Sequence, residues 1–306
     1  MPKFHIPKTN IVMLFVTIIL FVAILPSTYP WLLVPSASAT PVSASLKKLA
    51  DYQYPSSPKV IAAPIPKLFA TSFIAIDTAS NTILIAKNEN SRIYPASTTK
   101  LATVLTALNV YPLDEVVTVT NPTTVGQIMH LQPGEKITVR SLVSALLIFS
   151  ANDSAHALAQ HYPQGESGFV DQMNIVMNKY HLNNTHFMNV DGIHDPLHYT
   201  SVYDLSQLGR LAIKNPIVRQ LVQIKKTEVT NLDGTIHHSL VSTNELLDVA
   251  PEVKGLKTGW TPEANGCFVG LLEIKGHEVI SVVANSSDRF GDTLQLITWL
   301  KANVFW

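Results

Sequence analysis

Cysteine is almost missing from this chain. Cys267 is the only one in 306 residues, so no intramolecular disulfide can brace the fold and stability must come from a packed core. It sits in the apolar run Cys267-Phe268-Val269, where a buried, inert thiol is expected rather than a nucleophile. An excess of charge is missing too, since 22 Lys and Arg balance 22 Asp and Glu. With no long basic run either, the sequence argues against nucleic acid as the main partner. The 11 histidines never adopt a His-Glu-x-x-His spacing. His181, His186, His194, His198 and the pair His237-His238 therefore read as polar loop residues, and no metal is expected. No internal repeat stands out, and the length suits one large domain or two small ones.

What is present begins with an amino-terminal stretch unlike the rest. Lys3 and Lys8 precede an uncharged run from Ile11 to Leu25, closed by Pro26. As a helix that run spans roughly 22 Å, short of the roughly 30 Å hydrocarbon core of a bilayer. Extension to Val34 makes it long enough but brings in Pro26 and Pro30. Ala37-Ser38-Ala39 offers a small-x-small cleavage site, though far from the apolar run. Residues 1–39 thus read as a cleaved signal peptide or a retained membrane anchor, and either places the remainder outside the cell membrane. Residues 40–68, rich in Pro, Ser and Ala, read as a tether with little structure of its own. The folded domain is expected over residues 69–306.

Within it, Ser72–Asp77 and Thr82–Ala86 form a predicted hairpin. Pro95-Ala96-Ser97-Thr98-Thr99-Lys100 then delivers a serine onto the first turn of a helix whose apolar positions are Leu101, Val104, Leu105 and Leu108. Residues three apart on a helix are surface neighbours, so the Ser97 hydroxyl and the Lys100 amine can meet. A serine is a weak nucleophile until a base takes its proton, and an unprotonated lysine can do so. The plainer alternative is an N-cap serine followed by a solvated lysine. Small strands are expected at Val116–Thr120 and Ile137–Val139. A helix over Ser141–Phe149 breaks at Ser150–Ser154 and resumes through Ala155. There Ser150 and Asn152 can present a hydroxyl and an amide to a cleft, the alternative being a helix junction with capping residues. Helices follow over Phe169–Tyr180 and Ser201–Lys214. Strands return at Gly255–Thr261, Cys267–Ile274 and Glu278–Ala284, and a helix over Asp292–Asn303 ends the chain. In Lys257-Thr258-Gly259, a strand glycine makes sense where something approaches the backbone closely. A peptide added along that edge is one such thing, with the lysine and threonine available to a carboxylate. Strands from both ends and helices between them predict an α+β fold: one antiparallel sheet built from both chain ends, flanked by helices, with an inserted helical lobe.

Ser97-x-x-Lys100, Ser150-x-Asn152 and Lys257-Thr258-Gly259, in that order, resemble the motif set of penicillin-binding proteins and class A β-lactamases. Further matches narrow this resemblance: Arg92-x-x-Pro95-Ala96-Ser97, Leu131-x-Pro133-Gly134, Asn152-Asp153, Phe169-Val170-x-x-Met173-Asn174, Asn184-Thr185-His186-Phe187 and Gly255–Gly259. Together they are similar to the low-molecular-weight D-alanyl-D-alanine carboxypeptidases of serine peptidase family S11, across roughly residues 69–306. Ala151 stands where that family usually has glycine, tolerable if the turn needs no positive φ there. Many relatives also carry a β-rich second domain and an amphipathic membrane helix beyond the point where this chain stops, so here the amino-terminal segment would do any anchoring.

The resemblance implies a β-lactamase/transpeptidase-like fold, no cofactor, a peptidoglycan stem peptide ending in D-Ala-D-Ala as substrate, and β-lactam antibiotics as covalent inhibitors. It implies Ser97 as nucleophile, Lys100 as its base and Ser150 as proton relay to the leaving amine. Asn152 would hold the substrate backbone amide. Backbone N–H groups of Ser97 and Trp260 would form the oxyanion hole, with Gly259 beside them. Lys257, Thr258 and Arg289 would bind the free carboxylate, Arg289 on a loose Arg-Phe-x-Asp match. For Lys100 to act as base its pKa must fall about three units from roughly 10.4, through partial burial and the nearby Lys257. A β-lactamase would need a deacylating glutamate, and Glu166, the one tempting choice, comes too soon after Asn152. A D,D-endopeptidase would use the same groups, and an inactive wall-binding scaffold would waste them.

Overall fold

The computed structural model describes residues 56–306. The apolar amino-terminal run and most of the proline-rich stretch lie outside the described residues. Strands β1 (Lys59–Val60), β2 (Ser72–Asp77) and β3 (Ile83–Lys87) are followed by a 3-10 turn, Ala96–Thr99, and helix α1 (Lys100–Val110). Next come β4 (Val116–Thr118), β5 (Lys136–Thr138), α2 (Val139–Ile148), α3 (Asn152–Gln160), α4 (Gly165–Lys179), α5 (Val202–Ala212) and α6 (Pro216–Leu221). The chain closes with β6 (Lys226–Thr230), β7 (His237–Val241), α7 (Leu246–Val249), β8 (Val253–Thr261), β9 (Asn265–Ile274), β10 (His277–Ser286), α8 (Arg289–Asn303) and β11 (Val304–Phe305).

A five-stranded sheet runs in the order β3-β2-β10-β9-β8, all neighbours antiparallel. As the sequence predicts, its strands come from both ends of the folded body. Alternation along each strand divides the apolar side chains between two cores. Phe73, Phe268, Leu272, Val279 and Val283 meet Leu296, Ile297 and Leu300 of α8. On the other face Ile74, Ile76, Val269, Ile280 and Val282 join Leu205 and Leu208 of α5, and this core runs on into the helical lobe. Gly209 lets α5 settle on the sheet, since a Cβ there would lie 3.2 Å from both Ile280 and Val269 methyl carbons.

Several boundaries differ from expectation, each for a local reason. Val139 belongs to α2 rather than to a strand, because the Thr138 hydroxyl accepts the Ser141 N–H and starts the helix there. The break after α2 is shorter than predicted, and α3 already begins at Asn152. The Asp153 carboxylate accepts backbone N–H groups of Met129, Leu131 and Ser154, fixing the first turn of α3. The β6–β7 hairpin, α6 and α7 were not expected. The last part of the proline-rich stretch is not loose: β1 pairs with β11, and the Pro64 carbonyl accepts the Trp299 indole N–H at 2.9 Å. Asp292 then accepts the Phe69 and Ala70 N–H groups at 2.9 and 2.8 Å.

Candidate active site

Pro95 and the 3-10 turn carry Ser97 to the head of α1, where Thr98 folds back on the Pro95 carbonyl through both its N–H and its hydroxyl. One turn on, Lys100 is fully buried. Its Nζ lies 2.9 Å from Ser97 Oγ and donates to the Asp191 carbonyl at 2.8 Å. Burial pulls the Lys100 pKa down to about 8, against Asp191 and Asp153, which hold it up. The lowering is thus in the anticipated direction, but complete burial supplies it and not Lys257. Repulsion between the two lysines is felt at Lys257, whose pKa falls well below its ordinary value through burial, then Lys100, then Arg289.

The third motif lies against the first. Gly259 on β8 runs so close to the serine turn that a Cβ would sit 2.9 Å from the Ser97 nitrogen and 3.0 Å from that of Thr98. The sheet edge and the α1 terminus are therefore in contact, as the strand glycine suggests. Lys257 is buried and donates to the Thr258 carbonyl at 3.1 Å. The Thr258 hydroxyl is hydrogen-bonded to Thr243 Oγ1 at 2.6 Å, either oxygen being able to donate.

Between α2 and α3 the chain turns through Ser150, whose φ of 68° is in the left-handed region. The strained position is Ser150 itself; Ala151 has φ −63°, which explains why alanine is accepted there. The Asn152 amide donates to the Val125 carbonyl at 3.0 Å, and its own N–H to Gln127 at 2.7 Å. Its Oδ1 is left without a donor among the described residues, open to a ligand N–H.

A cleft of 390 Å³ gathers Ser97, Ser150, Asn152, Thr258, Gly259, Trp260 and Arg289 along one wall or another. Lys100 and Lys257 lie buried behind that lining. Arg289, at the start of α8, places its guanidinium 4.5 Å from the Phe290 ring centroid. Its Nε is buried without a hydrogen-bond partner, and no carboxylate among the described residues pairs with it. The cleft thus offers cationic and hydroxyl groups to an anion beside a serine with an adjacent amine. Every site residue named from the sequence lines this cleft or lies directly behind it.

Sequence reasoning missed Asp191, Gly192, Val125–Gln127 and Thr243, which also line it. Gly192, at φ 87°, backs onto the serine turn so closely that a Cβ would meet the Ala96 oxygen at 1.9 Å. Asp191-Gly192 is the one local signal that could have been noticed in the polar stretch after α4. Two histidines of that survey are buried rather than solvated, His198 within the loop before α5 and His238 on β7. His198 accepts the Met188 N–H and bonds Thr99 Oγ1 at 2.9 Å, with burial drawing its pKa down to about 4. His238 is buried against Glu135 at 2.8 Å. Among the described residues no group of three or more His, Cys, Asp or Glu is arranged to hold a metal.

The family model described as D-alanyl-D-alanine carboxypeptidase matches residues 59–288. The chain is 30% identical over 226 residues to D-alanyl-D-alanine carboxypeptidase DacF of Bacillus subtilis, covering 71% of this chain and 58% of that protein. To DacD of Escherichia coli K12 it is 31% identical over 255 residues, covering 78% and 64%. It therefore spans less than two thirds of the length of either relative. Among solved structures, the Streptomyces K15 DD-transpeptidase is 29% identical with a TM-score of 0.73, covering 78% of this chain and 100% of that one. A D-alanyl-D-alanine carboxypeptidase from Mycobacterium tuberculosis H37Rv is 26% identical at a TM-score of 0.74, covering 81% and 96%.

Proposed function

The chain belongs to the D-alanyl-D-alanine carboxypeptidase family, and from that premise we propose that it removes the terminal D-alanine from peptidoglycan stem peptides through an acyl-enzyme on Ser97. The observation that carries this is a fully buried Lys100 amine 2.9 Å from Ser97 Oγ at the wall of the cleft. Neutral Lys100 takes the Ser97 proton while still donating to the Asp191 carbonyl. The oxygen attacks the carbonyl between the two D-alanines, and the developing oxyanion is received by the N–H groups of Ser97 and Trp260. The C–N bond breaks as Ser150 passes a proton to the departing amine. Water then cleaves the ester and restores Ser97. Asn152 Oδ1 accepts from the substrate backbone, which lies along β8 as an added strand. Thr258 and Arg289 take the free carboxylate, with Lys257 buried behind them.

Penicillin, a cyclic acyl donor, enters by the same route and stays. No glutamate lines the cleft, and Glu166 is turned to His156 instead, so the β-lactamase alternative has no obvious deacylating base. We place the enzyme on the extracytoplasmic face of the cell membrane, where its polymer substrate is and where the basic-flanked run Ile11–Leu25 would deliver it. The described residues contain no helix long and apolar enough to cross a membrane.

Release of D-alanine from a diacyl-Lys-D-Ala-D-Ala peptide tests reaction and substrate together. The wild-type chain is expected to release it and to be labelled by fluorescent penicillin, and Ser97→Ala to do neither. Equal labelling of the two proteins would remove Ser97 as nucleophile.

A further inference from the structure

At the wall of the cleft, Asp191 is tied to a pair of residues on α3 and α4. His156 lies one turn after Asn152 on α3. Its Nε2 is 3.2 Å from Asp191 Oδ2, and its Nδ1 is 2.8 Å from Glu166 Oε2 at the start of α4. The Asp191 side chain is 1% exposed, that of His156 18% and that of Glu166 34%. An imidazole with a carboxylate at each nitrogen satisfies both only when it carries two N–H groups, that is, as the cation. Asp191 meanwhile accepts the Ile193 N–H through Oδ1 and the Lys100 amine through its backbone carbonyl. A continuous path therefore runs Glu166, His156, Asp191, Lys100, Ser97.

We propose that His156 and Glu166 are positioning residues of the Ser97 site, which set how strongly Asp191 holds a proton on Lys100. The inference rests on Lys100 being the base of the function proposed above. The Asp191 carboxylate favours the charged lysine, whereas a cationic His156 on its other side opposes that charge. Glu166 in turn keeps His156 cationic. Burial pulls the His156 pKa down, but its hydrogen bonds to Asp191 and Glu166 and their charges outweigh that and raise it to about 9. The other titratable groups facing Lys100 are Asp153 from α3 and Lys257 from β8, the latter pushed toward its neutral form by burial. His198 also senses Asp191 but is kept neutral by burial. None of these three is altered by the substitutions below.

The test is the pH dependence of Ser97 acylation by fluorescent penicillin, measured between pH 6 and 10 on the full chain. Acylation needs neutral Lys100, so the rate rises with pH through that lysine's pKa. His156→Gln removes a positive charge, strengthens the hold of Asp191, and is expected to move the half-rise upward by roughly half a pH unit. Asp191→Asn removes the negative charge and is expected to move it downward by at least as much. Glu166→Gln lets His156 lose its proton more readily and is expected to move it upward by less than His156→Gln, and its partly exposed site keeps a readout if Asp191→Asn fails to fold. Shifts of opposite sign cannot arise from loosening alone, since all three substitutions weaken the same chain of bonds. Half-rises that stay at the wild-type value, a downward shift in His156→Gln, or an upward shift in Asp191→Asn would overturn the proposal. A wild-type profile with no rise would instead remove Lys100 as the base, a failure visible without any variant.

Discussion

An ammonium group enclosed by protein gives up its proton more readily than one in water, and Lys100 is fully buried. The fall from 10.5 to about 8 corresponds to about 3 kcal/mol of differential interaction between its charged and neutral forms. Two carboxylates resist it, so the value is a balance that nearby charges can tip. The sign follows directly. Neutral lysine is the active form, so acylation is expected to rise roughly tenfold per pH unit below 8 and to level off above it. Lys100→Arg, which cannot deprotonate in this range, should lose acylation by about a thousandfold or more at pH 8 while keeping the fold. A Lys100→Arg protein that acylates at the wild-type rate would assign the base elsewhere. Arg289 shows the complementary condition: a buried Nε without a partner is a cost that a bound carboxylate would relieve.

At the scale of elements, the site depends on how closely backbones approach. The 3-10 turn bearing Ser97 is pressed by Gly259 on one side and by Gly192 on the other. Gly192→Ala meets both a steric wall at the Ala96 carbonyl and a φ of 87°. It is expected to cost about 2 kcal/mol or more and to slow acylation beyond what the stability loss explains. Urea melts set beside labelling rates separate the two, and an unchanged melt would mean the turn can yield.

These contacts also show what could be read from the sequence alone. Ser97 with Lys100, and Ser150 with Asn152, are local pairs, and helix and turn spacing place each pair without knowledge of the rest. Gly259 was legible because a strand glycine is out of place unless something lies against it. Of the rest, only Asp191-Gly192 left a local mark, whereas Thr243 reaches the cleft from a loop whose path is set by long-range packing. His156 was silent for a similar reason: both its partners are distant in the chain or across a turn, and no periodicity marks them. The β6–β7 hairpin escaped because Lys226-Thr227-Glu228-Val229-Thr230 alternates too weakly in hydrophobicity to stand out.

Over the whole molecule, the sheet joins strands from the two ends of the folded body, so closing it requires both ends to be present. Asp292 is one fastening. Fully buried, it accepts from Phe69, Ala70 and Ser286, linking the entry to β2, the exit of β10 and the first turn of α8. Asp292→Ala strands three donors and is expected to cost about 3 kcal/mol or more, read as a lower urea midpoint with an unchanged slope. A midpoint within error of wild type would show that water replaces the carboxylate freely. Cys267 is buried in the same sheet, on β9 opposite Gly259 of the edge strand β8, with its pKa pushed up to about 11 by burial. Being alone in the sequence, it gives an alkylating dye one place to land and none while the strands are shut. Uptake of such a dye would act as a clock, counting how often the native barrier is crossed and how much less often once an antibiotic occupies the serine.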